Sequence, residues 1–401
     1  MAKKSTYIPW RERQRRQAVE RKSAAAHRGG MDVPFLLLVL LLTVIGLVML
    51  FSASFPSAYY ETGGKNPAFY FKRQAIFAAL GMAAMFFLAN VNYQRFRGAA
   101  LPLLVFSIFL LILVIIPGVG ITVNRATRWL GKQGVFTFQP SEIAKLAVIL
   151  YFADTISKKK ERMRDFRQGI LPYGIVLAVM SVLMMLEPHL SGTILILGTG
   201  FVMLAVGGID AKLVGLGVGG AAVAAVGYVK AVEAGIISYG AGRIEMWHNP
   251  WLDPLHDGYQ MAQSLIAIGS GGLLGVGLGK SRQKFLYLPE EHNDFIFAVT
   301  CEELGLIGAC VIMLIFSLLI IRGFWIALHA RDRFGALLAV GVMTHLGLQT
   351  FLNIAVVTGL VPATGISLPF FSYGGTALAL QLVEMGIVLS VSRQIPAPRE
   401  G

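Results

Sequence analysis

The sequence predicts an all-α polytopic membrane protein. Of its 401 residues, 55% are hydrophobic and 14% are charged, and the mean hydropathy is +0.66. Apolar runs of about 18 residues or more recur along the chain. Such runs cross a bilayer as helices, because lipid offers the backbone no other hydrogen-bond partner. This composition excludes an ordinary soluble domain.

The N-terminal segment, residues 1–31, is polar and basic and has almost nothing to bury. We therefore expect a disordered cytoplasmic tail. A signal peptide is the alternative, but the first apolar run is long enough to span and no clear small-residue cleavage site follows it. The membrane domain is predicted over residues 32–393, and residues 394–401 form a short cytoplasmic tail.

About ten transmembrane helices are predicted, with both termini cytoplasmic. The inward loops then carry most of the clustered Lys and Arg residues, as the positive-inside rule requires. This orientation also explains the net charge of +13 without a nucleic-acid partner. The predicted spans are 33–50, 74–91, 99–117, 141–156, 170–186, 191–207, 213–230, 295–321, 335–357 and 373–392.

A large outer loop, residues 231–293, separates the seventh and eighth helices. Its apolar, Gly-rich part, residues 260–280, would place Arg322 and Arg333 outside if it were counted as a span. We therefore expect a re-entrant or interfacial segment there. The run RIEMWHNPWLDPLHDGYQ suits a membrane interface and a sugar surface. Its histidines and aspartates match no recognised ligand spacing, so no protein metal site is predicted.

Asp294 lies where the carboxylate-rich loop QKFLYLPEEHNDF meets the eighth span. It could be a start-of-helix acid, since Pro289 suits a first helical turn and acids suit the positive end of the helix dipole. It could also be catalytic, because Glu302 and Glu303 follow inside an apolar segment, where carboxylates are costly and usually functional. Spacing alone leaves both interpretations open.

Three cations, Arg125, Arg128 and Lys132, lie in the second outer loop, where the positive-inside rule does not explain them. A surface loop accounts for any one of them. Three together, with Trp129 at the interface, favour a site for an anionic head group such as a lipid diphosphate.

The next helix is predicted to begin at Pro140, with Glu142 and Lys145 three residues apart on one face. A helix-start ion pair is the simple interpretation. A functional pair is favoured, because Lys145 would lie at the outer end of a spanning helix, near the basic loop and, with suitable packing, near Asp294.

Four ordered motifs then carry a resemblance. They are NRATRWL with QPSEIAKLA, GYQMAQSLIAIGSGGLLGVGLGKSRQK, LPEEHNDFIFAVTCEELG, and PATGISLPFFSYGG. Together they resemble the SEDS family (shape, elongation, division, sporulation) of bacterial cell-wall polymerases, over about residues 33–393. The chain is more similar to the FtsW and SpoVE branch than to the RodA branch. Asn293 stands where the family commonly has Thr, and His189 where it often has Asp.

The resemblance implies a peptidoglycan glycosyltransferase that polymerises lipid II at the outer face of the bacterial cytoplasmic membrane. The expected role is cell division, with elongation or sporulation as alternatives. Asp294, Glu142 and Lys145 are the expected catalytic group. The expected substrate contacts are Arg128, Trp129, Arg243, Gln260, Gln283, Lys284, His292 and Ser372.

The resemblance implies no tightly bound cofactor, although a divalent cation, Mg²⁺ or Mn²⁺, could accompany the substrate diphosphate. The expected partners are a class B penicillin-binding protein, which supplies the transpeptidase, and other divisome or elongasome membrane proteins.

Two other classes of protein stay open as alternatives to an enzyme. A flippase or transporter would use Glu302 and Glu303 inside the membrane, whereas a non-catalytic scaffold would leave the outward Glu142, Lys145 and Asp294 unexplained.

Overall fold

The computed structural model describes residues 30–123, 126–132, 136–236 and 241–395. The two predicted tails lie almost wholly outside these ranges. The helices are α1 (Val33–Glu61), α2 (Phe69–Asn90), α3 (Phe96–Ile115), α4 (Pro140–Lys159), α5 (Leu171–Leu186), α6 (Leu190–Val206), α7 (Ala211–Glu233), α8 (Ala241–His248), α9 (Tyr259–Gly271), α10 (Ile296–Leu328), α11 (Arg333–Val357) and α12 (Gly375–Ser392). Short 3₁₀ turns at Tyr93–Arg95 and Lys160–Arg164 and a π-helical turn at Phe166–Ile170 complete the helical part.

The predicted helical membrane fold is confirmed, and each of the ten predicted spans coincides with a helix. Among the described residues, eight helices are long and apolar enough to cross a bilayer: α1, α2, α3, α5 with its preceding π turn, α7, α10, α11 and α12. Helix α6 is apolar but shorter, and α4 carries several charged residues over its 20 residues. The count of ten spans and the side of the termini stay predictions.

The basic outer loop after α3 forms a small antiparallel sheet, which the all-α prediction did not include. Its strands are β1 (Ile121–Val123), β2 (Ala126–Lys132) and β3 (Phe136–Phe138), in the order β1-β2-β3. Trp129 of β2 pairs with Ile121, and Leu130 pairs with Phe138. The sheet fixes the direction of the side chains between Ala126 and Lys132, including Arg128.

Helix α11 is central: it packs against α4, α6, α10 and α12. Its start is capped by Asp332, whose carboxylate accepts a hydrogen bond from the backbone N–H of Gly335 at 2.8 Å. Asp32 caps α1 in the same way through Phe35 N at 2.9 Å and also pairs with Arg322 of α10 at 2.8 Å. These contacts tie together the helix ends that lie opposite the Asp294 loop.

The Gly-rich stretch of the outer loop forms a hairpin against α10. Helix α9 has 13 residues, too few to cross a bilayer. After it the chain bonds to α10, where Val276 N donates to Glu302 O at 2.9 Å and Leu306 N donates to Gly272 O at 2.9 Å. Gly305 interrupts α10 with φ 69° and ψ −174°, a backbone shape that favours glycine. The stretch thus packs along the first turns of α10, and its re-entrant or interfacial position in the membrane stays a prediction.

Candidate active site

Asp294 lies just before α10, at the edge of a closely packed region. The N-cap of α10 is Phe295, and no acid occupies its first turn. Asp294 therefore does not cap the helix. Its backbone carbonyl accepts a hydrogen bond from Asn353 Nδ2 at 2.8 Å, while the preceding carbonyl, Asn293 O, accepts one from Ser372 Oγ at 2.7 Å. Helix α11 and the last outer loop, residues 358–374 between α11 and α12, thus hold the backbone that carries Asp294.

The last outer loop also approaches the Asp294 carboxylate itself. Gly365 has φ +69°, and a Cβ built at this position would lie 3.4 Å from Asp294 Oδ2. Asn353 Nδ2 also donates to Ile366 O at 2.6 Å, and Ser191 Oγ donates to Gly365 O at 3.2 Å. Helices α11 and α6 therefore fix the loop against the carboxylate.

The electrostatic surroundings of Asp294 suit a base. The pKa of Asp294 is raised from 3.8 to about 6, first by burial and then by the nearby Glu290 carboxylate, while Arg128 and His292 oppose the shift. Desolvation dominates because the side chain is half-buried at the mouth of an apolar helix. A carboxylate with this pKa is ionised near neutral pH and still accepts a proton readily.

Arg128 extends from β2 over the turn between α5 and α6. Its Nε donates to Glu187 O at 3.3 Å, and its guanidinium also donates to Pro188 O. The same guanidinium lowers the pKa of Asp294 and that of His189. Arg128 therefore lies near the turn, the sheet and Asp294, and its contact with a diphosphate stays a prediction.

Glu142 and Lys145 form the predicted ion pair at the start of α4. Lys145 Nζ lies 2.8 Å from Glu142 Oε1, and the two side chains are 3% and 15% exposed. His189 lies near both cations: its pKa is lowered to about 3, first by burial and then by the charges of Arg128 and Lys145. His189 is thus a neutral imidazole near two cationic side chains. The predicted approach of Lys145 to Asp294 stays a prediction.

Glu187 is a carboxyl group that the sequence reasoning did not single out. Its side chain is buried, and neither oxygen has a hydrogen-bond partner among the described residues. Burial raises its pKa to about 8, although Arg128 opposes this shift. Glu187 therefore stays protonated at neutral pH, and no signal in the sequence distinguished it from an ordinary turn residue.

Lys284 and Gln283 lie away from Asp294, in a buried network beside the break in α10. Lys284 Nζ lies 2.8 Å from Glu303 Oε1 and 3.0 Å from Ser52 Oγ. Glu302 accepts hydrogen bonds from the backbone N–H groups of Arg282 at 2.9 Å and Gln283 at 3.3 Å. The two intramembrane carboxylates thus hold the returning hairpin, and substrate contact by Lys284 and Gln283 stays a prediction without support from this placement.

The other predicted contacts lie around the outer rim. The His292 ring lies 4.5 Å from the Tyr70 ring, centroid to centroid. Gln260 Nε2 donates to Pro289 O at 3.3 Å, and Arg243 is exposed on α8. Trp129 is half-buried in β2. Ser372 Oγ accepts a hydrogen bond from Leu368 N at 2.7 Å and donates one to Asn293 O. Arg125 lies outside the described residues. Their roles in substrate binding stay predictions.

A polar cavity lies behind Glu142. It is narrow, about 30 Å³, and is lined by residues of α4, α11, the last outer loop and α12, including His345, Gln349 and Glu384. The sequence reasoning did not single these residues out, although polar residues within the apolar runs 335–357 and 373–392 could have revealed them.

Within the described part of the chain, no group of three or more His, Cys, Asp or Glu residues could hold a metal ion. Asp294 and Glu142 each lie beside a cation instead. The residues present therefore do not form a resident metal site, and a divalent ion would need substrate oxygens for most of its ligands.

The fold and this site define a polytopic membrane protein with an acid–base group and two cations at one end of its helical bundle. A sequence profile of the FtsW/RodA/SpoVE family, described as "Cell cycle protein", matches residues 33–396. The chain belongs to this family, and it is a multi-pass protein of the bacterial inner membrane.

Two curated relatives cover nearly the whole chain. "Stage V sporulation protein E" of Bacillus subtilis is 46% identical over 364 residues, which are 90% of this chain and 97% of that protein. "Probable peptidoglycan glycosyltransferase FtsW" of Geobacter sulfurreducens is 42% identical over 366 residues, which are 91% of this chain and 95% of that protein.

Solved structures agree with the fold. A chain from "Structural coordination of polymerization and crosslinking by a peptidoglycan synthase complex" aligns with a TM-score of 0.74 and 28% identity, over 91% of this chain and 98% of that one. The rod shape determining protein RodA of Thermus thermophilus aligns with a TM-score of 0.66, the same identity and the same coverage.

Proposed function

We propose that this chain is a peptidoglycan glycosyltransferase that polymerises lipid II during cell division. The observation that carries the proposal is the Asp294 carboxylate, half-buried, with its pKa raised to about 6 and a guanidinium nearby. Its relatives named FtsW support the activity and the division role, while the sporulation relative and the RodA structures keep those two roles as alternatives.

The proposed chemistry is glycosyl transfer from a lipid diphosphate. The hydroxyl oxygen of the acceptor sugar attacks the anomeric carbon of the donor, and a new C–O bond forms there. The bond between that carbon and the diphosphate oxygen breaks, and the diphosphate leaves with the bonding electron pair. Asp294 accepts the proton of the acceptor hydroxyl, which its pKa of about 6 permits near neutral pH.

Arg128 and Lys145 are the proposed contacts of the departing diphosphate. The charges of both side chains act on His189, so both lie near the turn between α5 and α6. Fixed cations stabilise the negative charge that develops as the diphosphate leaves. Glu142, 2.8 Å from Lys145, holds the ammonium in place. A Mg²⁺ or Mn²⁺ ion would neutralise further charge on the diphosphate when it accompanies the substrate.

A class B penicillin-binding protein is the proposed partner. The similarity to a chain of a peptidoglycan synthase complex, which coordinates polymerisation with crosslinking, supports this pairing. Helix α7, whose apolar stretch is exposed to its surroundings, leaves ample surface for lipid or another membrane helix. Contacts with further divisome or elongasome proteins belong to the same proposal.

The flippase alternative is weakened by the placement of its two key carboxylates. Glu302 and Glu303 accept hydrogen bonds from Ser281, Lys284 and their neighbours, so they stabilise the hairpin. They are therefore not free to bind a moving substrate.

Polymerisation by the purified chain, in complex with its partner whose transpeptidase is blocked, tests the proposal. Labelled lipid II should yield glycan chains with the wild-type protein and almost none with Asp294→Ala. His329→Gln, at an exposed site at the far end of α10, is the matched control and should be fully active. A wild-type complex that binds lipid II without extending it would contradict the proposal.

A further inference from the structure

Two ionisable side chains face each other deep in the helical bundle, away from the outer site. His345 lies 12 residues into α11, and Glu384 lies 9 residues into α12, so each is roughly 14–18 Å from its helix start. His345 Nδ1 lies 3.3 Å from Glu384 Oε2, and the side chains are 6% and 5% exposed. Ionisable residues at such a depth are costly and usually functional.

The geometry fixes how the imidazole can exchange protons. With Nδ1–H donating to the Glu384 carboxylate, the lone pair of the neutral ring lies on Nε2. Nε2 is buried and has no hydrogen-bond partner among the described residues. A carboxylate on Nδ1 orients the ring and stabilises the imidazolium that forms when Nε2 accepts a proton, as in a Ser-His-Asp triad.

The narrow cavity behind Glu142 connects this pair to the outer site. Its lining includes Glu142, Gln349, Gln381 and both members of the pair. A volume of about 30 Å³ holds two or so water molecules by the usual requirement of about 10–15 Å³ each. Ser367 and the two glutamines supply the polar partners that such waters need.

We propose that His345 is a positioning residue for the glycosyl transfer, which acts by exchanging a proton with Glu142 through the water in this cavity. The inference rests on the proposed function. A proton that the Glu142 carboxylate takes up from solvent at the outer face moves along the water to His345 Nε2, while Nδ1–H stays bonded to Glu384. Glu142 is thereby restored as the anion that holds Lys145, and the proton returns through the cavity and Glu142 to the solvent between turnovers.

The charged and titratable groups around the pair come from three elements. Glu142 and Lys145 belong to α4, Tyr373 to the last outer loop, and Glu384 to α12. Lys145 is paired with Glu142, so Glu384 is the anion that directly contacts the imidazole. The protonation of His345 therefore changes the charge that Glu142 faces across the cavity.

The test measures kcat and KM for lipid II polymerisation against pH, in complex with the partner. The variants are His345→Gln, Glu384→Gln and the double variant, with His329→Gln as control. The double variant replaces the imidazole–carboxylate pair by an amide pair of similar shape, so it leaves no buried carboxylate without its partner. We expect kcat to fall about tenfold, below the 10²–10⁴-fold of a direct proton transfer, with KM unchanged.

The shape of the pH profile separates the proposed role from a purely structural one. The variants should lose an inflection that the wild-type profile shows, because they cannot exchange a proton with Glu142. Glu384→Asp, which keeps a carboxylate, should restore part of the wild-type profile. A folded double variant with the wild-type kcat and profile would overturn the inference, and so would a double variant that cannot fold, since the pair would then be structural. An inactive wild-type complex would instead refute the proposed function.

Discussion

Two carboxylate clusters flank the first turns of α10, and they are built in opposite ways. In the inner one, Glu303 accepts hydrogen bonds from Ser52 Oγ at 2.7 Å and Lys284 Nζ at 2.8 Å, and Glu302 accepts them from backbone N–H groups. In the outer one, Asp294 is half-buried, has a raised pKa and faces a second carboxylate, Glu290.

The difference separates two uses of a buried acid. A carboxylate surrounded by donors is stable as an anion and holds its neighbours in place. A carboxylate that burial and a like charge disfavour has a raised proton affinity, which is what a general base needs. We therefore expect the inner cluster to support the fold and the outer one to support the chemistry. Substitutions in each cluster test this division.

The largest effect is expected from Asp294→Asn. Loss of the base should lower kcat by about 10²–10⁴-fold. Stability at neutral pH should not fall. The pKa of Asp294 is raised from 3.8 to about 6 in the fold, so its ionisation costs stability as pH rises through that range, and the neutral amide avoids this cost above it. Polymerisation assays and thermal unfolding at neutral pH check both halves. A variant that is inactive because it unfolds would contradict the division.

Glu303→Gln should have the opposite effect to Asp294→Asn, because it should lower stability and leave activity nearly unchanged. It leaves the Lys284 ammonium, 3% exposed, without its anion, and breaking a buried pair in this way costs about 3–5 kcal/mol. Unfolding of the purified protein by heat or denaturant measures the loss. Activity per folded molecule should stay close to wild type.

The matched control for this change is the double variant Lys284→Met with Glu303→Gln. It removes both charges, so it should recover much of the stability lost in Glu303→Gln. A double variant no more stable than the single one would show that the ion pair is not the source of the effect.

A smaller effect is expected from Gly365→Ala, with Gly359→Ala as its control. Both glycines have left-handed backbones, at φ +69° and +74°, so both changes should cost about 1–2 kcal/mol of stability. Only the new methyl group at Gly365 would touch Asp294, at 3.4 Å from Oδ2, whereas at Gly359 the nearest atom is Met261 Sδ at 3.7 Å. We expect kcat to fall, by about tenfold at most, only in Gly365→Ala. Equal loss of activity in both would mean that contact with Asp294 does not matter.

The sequence predicted the helices because apolar runs of this length have one stable form in lipid. It also predicted the Glu142–Lys145 pair, since residues three apart share a helix face. The β2 strand that carries Arg128 was missed, because its run of polar and small residues has no clear alternation. The role of Glu302 and Glu303 was missed for a different reason: their partners, Ser52 and Ser281, are distant in sequence, and no local pattern brings them together.

His345 and Glu384 show the same limit. Their separation of 39 residues gives no periodic signal, and only the packing of α11 against α12 makes them a pair. Asp294 was a partial case. Its position at the start of an apolar helix was predicted. Gly365 and Arg128 also determine its environment, and their approach depends on the folding of two other loops.

The smallest effect is expected from Glu290→Gln. This variant tests whether the charge of Glu290 contributes to the raised pKa of Asp294. The rate of the wild-type enzyme should fall as pH drops through about 6, because Asp294 becomes protonated. Glu290 raises the pKa of Asp294, and its Oε2 accepts a hydrogen bond from Asn293 Nδ2 at 2.6 Å. Gln can keep this bond through its own carbonyl but carries no charge, so the midpoint should move to lower pH by roughly half a unit.

Glu245→Gln, at an exposed site on α8, is the control for Glu290→Gln and should leave the midpoint unchanged. The measurement is the pH dependence of kcat/KM for the three proteins, which reports the free enzyme. If Glu290→Gln also keeps the wild-type midpoint, the raised pKa of Asp294 comes from burial alone. The contrast between the two clusters would then rest on desolvation, because like charges would play no part in setting the base.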